Sequence, residues 1–253
     1  MTSTRKITIG FFALLLLAMT LVVGANAWKS SLIVKKILVS GNRVVETNEI
    51  LQLSHVKPGA KIYDLDLMVI QRDIESHYFL REVVVERDLP STLKISVVER
   101  TPVAVINVPD LPYLDADGVV LPHSISREIF DLPMVSNLPA DLKISVGKTL
   151  QNPDITEALN ILSTAKMVNK ELYYLISEIR LRDGGDVVLY TAEGGIPVLF
   201  GRGDSPDKLV RLETFWNEVV RERGTAALQY IDLRFEDQIV VRWNDNHAVS
   251  RSL

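Results

Sequence analysis

Val83-Val84-Val85-Glu86-Arg87-Asp88-Leu89-Pro90-Ser91-Thr92-Leu93-Lys94-Ile95-Ser96-Val97-Val98-Glu99-Arg100 is the run that decides how the first half of this chain folds. Val83 to Arg87 and Leu93 to Val98 read as two strands, and Asp88-Leu89-Pro90-Ser91 between them is turn chemistry. Working upstream, Leu32 to Val39 is apolar and β-branched and stops at Gly41-Asn42, a strand followed by a turn. Thr47 is placed to cap a short helix carrying Ile50, Leu51 and Leu53, after which Pro58-Gly59 marks a loop. Asp66 is placed to cap a second helix, in which Val69, Ile70, Ile74 and Tyr78 recur at helical spacing. The order strand, helix, helix, strand, strand over residues 31–100 predicts a small α+β unit whose helices cover one face of a sheet.

In front of that unit, Arg5 and Lys6 precede an uncharged stretch from Ile7 to Ala27, which ends at Trp28 and Lys29. A helix of roughly twenty apolar residues spans a hydrocarbon core about 30 Å thick. Residues 7–27 are therefore a candidate transmembrane helix in contact with lipid, residues 1–6 a short tail, and Trp28 with Lys29 its membrane-interface residues. Ala25-Asn26-Ala27 also fits the small-residue cleavage pattern of a secretory signal peptide, but the apolar region is longer than the usual signal core, which favours an uncleaved anchor. Either way the rest of the chain is exported. Charge alone leaves the orientation open, because Arg5 and Lys6 face Lys29, Lys35 and Lys36 across the span.

The composition of the whole chain is that of ordinary globular protein, with 24% charged residues, 47% hydrophobic residues and a net charge of −4 across 253 residues. Such a balance offers no electrostatic footprint for nucleic acid. With no Cys there is no disulfide framework, thiolate nucleophile or Cys-ligated metal, so the exported part holds together by core burial.

After Arg100 the pattern becomes mostly strand. Val103 to Val108, Val119 to Leu121, Ile176 to Leu181, Val187 to Tyr190 and Ile196 to Phe200 read as strands, with Asp183-Gly184-Gly185 and Glu193-Gly194-Gly195 as turns. Two helices interrupt them. Asn152-Pro153 opens one that carries Ile155, Leu159 and Leu162; Ser205-Pro206 opens another with Leu209, Leu212, Phe215 or Trp216, and Val219. Leu121 to Ile144, with several prolines, reads as a long loop or meander. Tyr230 to Phe235 and Gln238 to Trp243 flank Glu236-Asp237 and predict a tight hairpin, leaving a polar tail at 244–253. A terminal strand leaves one row of backbone donors and acceptors unpaired unless something covers it, and such a row can accept a partner's strand. An interior strand, or an edge blunted by the tail, remains the alternative on these residues alone.

Val39-Ser40-Gly41-Asn42, the run from Val83 to Leu93, and Val97-Val98-Glu99-Arg100-Thr101-Pro102-Val103-Ala104 resemble the POTRA domain of the bacterial division family FtsQ/DivIB. The resemblance continues through Tyr113-Leu114-Asp115 with Gly118, Phe200-Gly201-Arg202-Gly203-Asp204, and Tyr230-Ile231-Asp232-Leu233-Arg234-Phe235, in the family's order. It implies an α+β protein: a single N-terminal transmembrane helix, a POTRA domain (β-α-α-β-β) at 31–100, and a mainly antiparallel β domain with two helices at 101–243. It further implies a cytoplasmic amino terminus in the inner membrane, a periplasmic C-terminal part at the division septum, and a non-catalytic scaffold that recruits FtsB and FtsL. Carried over onto this chain, the docking edge is Tyr230, Phe235, Ile239, Val241 and Trp243, with Phe235 and Trp243 as hot-spot candidates. Other division proteins would engage the POTRA domain. Where relatives have a basic residue on the neighbouring hairpin this chain reads Gly184-Gly185-Asp186, with Arg180 and Arg182 as nearby substitutes. POTRA domains also serve periplasmic chaperone and transport-assembly proteins, but those chains carry a transmembrane barrel, for which nothing here reads.

Enzymatic and metal readings are weaker. Ser163-Thr164-Ala165-Lys166 has the Ser-x-x-Lys spacing of penicillin-binding proteins, but the companion Ser-Asp-Asn is missing and Lys148-Thr149 is followed by Leu150 rather than Gly. His55, His77, His123 and His247 are widely separated, and none has an i, i+4 His or Cys partner. Asp115-Ala116-Asp117-Gly118 lacks the later ligands of a calcium loop and reads as a turn, and Arg202-Gly203-Asp204 stands between a strand and a helix start. No Gly-rich phosphate loop is present. The expectation is a protein without catalytic, cofactor-binding or metal-binding residues.

Overall fold

The computed structural model describes residues 3–123, 130–182 and 184–244, and the chain divides into two compact units, Met1–Glu99 and Arg100–Leu253. The first begins with helix α1 (Ser3–Ser31). Its stretch Phe12–Ser31 has a mean hydropathy of 1.7, and none of its residues is buried. Apolar side chains are half or more exposed round this helix, as at Phe12, Leu14, Leu15, Leu16 and Leu17, a pattern suited to an apolar surrounding. By length and composition this helix can cross a membrane.

The rest of the first unit is β1 (Lys36–Ser40), α2 (Thr47–Ser54), α3 (Leu67–Glu75), β2 (Leu80–Asp88) and β3 (Thr92–Glu99). β3 lies in the middle of the sheet, parallel to β1 and antiparallel to β2. Period-two alternation sends Leu93, Ile95 and Val97 inward with Val83 and Val85, where they bury with Ile50, Ile70, Ile74 and Phe79. Asp66 caps α3 by accepting from the N–H groups of Met68 and Val69. Thr47 does not cap α2: extended Glu46 holds that position, and the Thr47 hydroxyl accepts from Asn42 Nδ2 instead. Of the helical stripe expected in α3, Ile70 and Ile74 are buried while Val69 and Tyr78 are exposed. The helix ends at Glu75, so the core position beyond it falls to Phe79.

A carboxylate ties the two ends of this unit together. Gly41, at φ 89°, turns the chain away from β1, where a Cβ would lie 2.0 Å from the Val97 carbonyl oxygen. The next residues present successive backbone N–H groups, from Arg43, Val44 and Val45, to the Glu99 carboxylate at 2.8–3.0 Å. Glu99→Ala is expected to destabilise this unit by about 2 kcal/mol, because three donors lose a charged acceptor; thermal melts of the two proteins measure it.

The second unit is built on a mixed sheet of nine strands. These are β4 (Pro102–Ile106), β5 (Tyr113–Asp115), β6 (Val120–Leu121), β7 (Met134–Ser136), β8 (Ile176–Leu181), β9 (Val187–Thr191), β10 (Pro197–Leu199), β11 (Leu228–Asp232) and β12 (Val240–Trp243). They run in the order β12-β11-β10-β9-β8-β7-β4-β5-β6. Five of the eight pairings are antiparallel; β10 with β11, β4 with β7, and β7 with β8 are parallel. The region expected to be a loop or meander therefore supplies a central strand, β7.

Two longer helices, α4 (Pro153–Val168) and α6 (Ser205–Phe215), are each followed by a short one, α5 (Lys170–Leu175) and α7 (Arg221–Arg223) respectively. Ile155, Leu159, Leu162, Leu209, Leu212 and Trp216 bury in one core with Ile179, Leu189, Val198 and Ile231 of the sheet. Asn152 caps α4, accepting from the N–H groups of Asp154 and Ile155. Ser205 does not cap α6; Asp204, in a left-handed conformation at φ 51°, holds that position, and Ser205 is buried in the first turn. Between α6 and α7 the chain makes a π-helical turn, Trp216–Val220. Val220 rather than Val219 joins the core there, one helical turn after Trp216.

Tyr173 of α5 donates its hydroxyl to the Val103 carbonyl of β4 at 3.0 Å, and burial pushes its phenol from 10 up to about 12. A raised folded-state value means that stability present below pH 10 is lost as the pH climbs towards about 12. Tyr173→Phe is expected to cost about 1 kcal/mol at neutral pH and to lose less stability over that alkaline range, which urea titrations at both ends of it measure.

Candidate functional site

The nine-stranded sheet ends in two different edges. At β6, the Val120 N–H donates to the Lys148 carbonyl, the Gly147 N–H donates to the Val120 carbonyl, and Val119 bridges to Thr149, so a folded-back turn covers the edge. At the other end, β12 pairs with β11 on one side and with no strand on the other among the described residues. Residues 245–253, most of the predicted polar tail and including His247, lie outside the described residues. The Asn244 N–H donates inward to the Ala227 carbonyl at 2.7 Å. By the alternation of an antiparallel ladder, the backbone groups of Val241 and Trp243 then point outward.

Side chains on this edge sort by face. Ile239, Val241 and Trp243 pack against the core beneath the helices. Tyr230, half-buried, and Arg242, exposed, stand opposite each other on the other face. Phe235 is 45% exposed and Val240 37%. Trp243 also meets the Arg223 guanidinium, which lies 4.1 Å from its ring centroid. Thus Phe235 presents its ring to solvent, whereas Trp243 is a rim residue of the core.

The tight hairpin expected around Glu236-Asp237 is replaced by a longer connection. β11 ends at Asp232 and β12 starts at Val240, leaving residues 233–239 between them. Leu233 is fully buried and its N–H continues the ladder to the Leu199 carbonyl, pulling the chain towards β10. Asp232 then holds Arg234 through two side-chain bonds of 2.9 and 2.7 Å and accepts from its N–H. That hydrogen bonding keeps the Asp232 carboxyl below the usual carboxylate range, against the opposing effect of burial. Asp237 turns the loop at φ 53°, and Arg211 of α6 donates to the carbonyls of both Phe235 and Gln238.

Arg180, one of the two substitute cations, is engaged within the sheet: it pairs with Glu178 at 3.0 Å and lies over the Tyr190 ring at 4.7 Å. Arg182 is exposed beside the turn at 184–186. Trp28 is exposed on α1, and Lys29 Nζ lies 5.6 Å from the Tyr63 ring centroid. Lys166 of the Ser-x-x-Lys spacing has its Nζ over the ring of Tyr173. Among the described residues no group of three His, Asp or Glu side chains could hold a metal ion. His55 ends α2 in a left-handed conformation, His77 is buried beside Glu49, and His123 stacks on Tyr113. Arg202 of the Arg202-Gly203-Asp204 run donates to Asp154 and to the Gly185 carbonyl, a structural role. The arginines that hold the edge, Arg211 and Arg223, carry no motif or periodicity that sequence reading could have used.

Most of the chain is similar to known proteins. A family model described as "POTRA domain, FtsQ-type" matches residues 32–100, and one described as "Cell division protein FtsQ/DivIB, C-terminal" matches residues 104–234. The edge strand lies just beyond the second match. The chain is 34% identical over 206 residues to a cell division protein FtsQ of Geobacter sp. (strain M21), covering 81% of this chain and 73% of that one. It is 32% identical over 208 residues to that of Geotalea daltonii, covering 82% and 74%. A relative from Rhodothermus marinus is 29% identical over 232 residues, covering 89% and 83%. With a POTRA-type unit, a β unit and an apolar leading helix in that order, the chain belongs to the FtsQ/DivIB family of cell division proteins.

Proposed function

We propose that this protein is a non-catalytic scaffold of the division machinery, held in the inner membrane by α1 with its amino terminus in the cytoplasm. Trp28 and Lys29 then sit at the outer interface of that membrane, and both folded units occupy the periplasm at the septum. The second unit captures FtsB, with FtsL, by adding a partner strand to β12, and the POTRA-type unit engages other division proteins. In this way early and late components are linked through one anchored chain. The observation that carries this reading is the ladder of β12, which is open among the described residues and whose outward backbone groups at Val241 and Trp243 lie near the exposed Val240. Main-chain bonds would supply affinity, and the flanking side chains would set register.

The two hot-spot candidates divide in role. Phe235 meets the partner directly, while Trp243 shapes the edge from the core side. Truncating an exposed aromatic anchor at an interface costs about 2 kcal/mol or more, roughly thirtyfold in affinity. Proline at Val241 removes an outward donor without removing a bond to β11, as an edge strand allows.

The test uses the full chain in nanodiscs, with the FtsB and FtsL homologues of the same genome as binding partners. Phe235→Ala is expected to weaken capture about thirtyfold, and Val241→Pro to abolish it, each with an unchanged circular dichroism spectrum. Equal capture by the wild type and both variants would move the site away from β12, and no capture by the folded wild type would overturn the scaffold reading.

A further inference from the structure

The geometry points to Arg211 as a positioning residue: from α6 it sets the edge strand β12 for partner capture while touching no partner itself. This inference rests on the docking reading above. One guanidinium nitrogen of Arg211 donates to the Phe235 carbonyl at 3.0 Å and to the Gln238 carbonyl at 3.1 Å. Those two carbonyls bracket the Glu236-Asp237 turn, so a single nitrogen closes the turn from outside. Gln238 stands two residues before β12, and Phe235 is the exposed aromatic of the edge. The Arg211 contact therefore fixes both where Phe235 stands and where the last strand begins.

The need for such a clamp follows from the exposure of the segment between the Asp232–Arg234 pair and Ile239, which packs on the core. Residues 234–238 are all exposed. β12 contributes only four residues to the ladder, and its partner β11 is irregular between Leu228 and Tyr230. At the far end, Arg223 stacks on Trp243 and the Asn244 N–H reaches Ala227. Arg211 and Arg223 stand on one continuous helical run, α6, the π-helical turn and α7, so the strand is gripped at both ends by cations from the same element. An arginine suits the first grip because its terminal nitrogen holds two N–H donors fixed in the guanidinium plane, one for each carbonyl, whereas the donors of a lysine ammonium rotate freely on a flexible stem. A partner strand binds only the ordered edge, so apparent affinity falls in proportion to the fraction of molecules with the edge in place.

The experiment compares wild type, Arg211→Ala and Arg211→Lys as full chains in nanodiscs. Hydrogen exchange is followed without partner, and binding is measured with the periplasmic segment of the FtsB homologue from the same genome. In Arg211→Ala the inward amides of Arg242 and Asn244 are expected to exchange about tenfold faster while β8 and β9 keep their protection, with affinity about tenfold weaker and association slowed. Arg211→Lys is expected to fall between the two. Unchanged exchange at β12, or unchanged affinity, would overturn the inference. Faster exchange throughout the second unit would make Arg211 a general structural residue and overturn it as well. If the wild type does not bind the segment at all, the docking reading itself fails, and altered exchange would then show only a fold clamp.

Discussion

Every open sheet must dispose of two rows of unpaired backbone groups, and the second unit of this protein disposes of only one among its described residues. At β6 the turn through Gly147 and Lys148 takes up the free donors and acceptors. At β12 the ladder is left open outward at Val241 and Trp243. Exposed edges invite promiscuous pairing, and proteins usually shorten, charge or cover them. β12 is short and has Arg242 on its exposed face, which limits non-specific pairing without closing the ladder. The functional reading depends on that asymmetry.

The scaffold behind the edge is organised to keep it in place. The core formed by α4, α6 and the sheet extends under Ile239, Val241 and Trp243, so one face of β12 is anchored by apolar contact. Leu233 draws the preceding chain towards β10, and the Asp232–Arg234 pair locks the corner where β11 ends. α6 then reaches across with Arg211, and α7 with Arg223. These contacts favour a preformed edge over one assembled on encounter, which reduces the ordering cost of binding.

Local patterning made much of this architecture legible. The POTRA-type unit could be read in order because each strand is several residues long, bounded by Gly, Pro or Asp, and because Asp66 announces α3 with a capping side chain. Asn152-Pro153 announced α4 in the same way. What escaped was short or determined by distant partners. β7 has three residues after Pro133, too few for a period to show, and takes its place only because β4 and β8 flank it. The seven-residue connection at 233–239 hides behind Glu236-Asp237, which resembles hairpin chemistry; burial of Leu233 against the sheet decides otherwise. For the candidate edge, the aromatic positions could be named from resemblance. Their division into an exposed Phe235 and a core-rim Trp243, and the grip of Arg211 and Arg223, exist only in three dimensions.

The most direct measurement of the central claim is residue-resolved hydrogen exchange on the full chain in nanodiscs, with and without the FtsB and FtsL homologues. Strand addition at β12 predicts that the outward amides of Val241 and Trp243, unpaired in the ladder among the described residues, become protected on binding. Protection confined to other elements, with those two amides exchanging as fast as before, would contradict it.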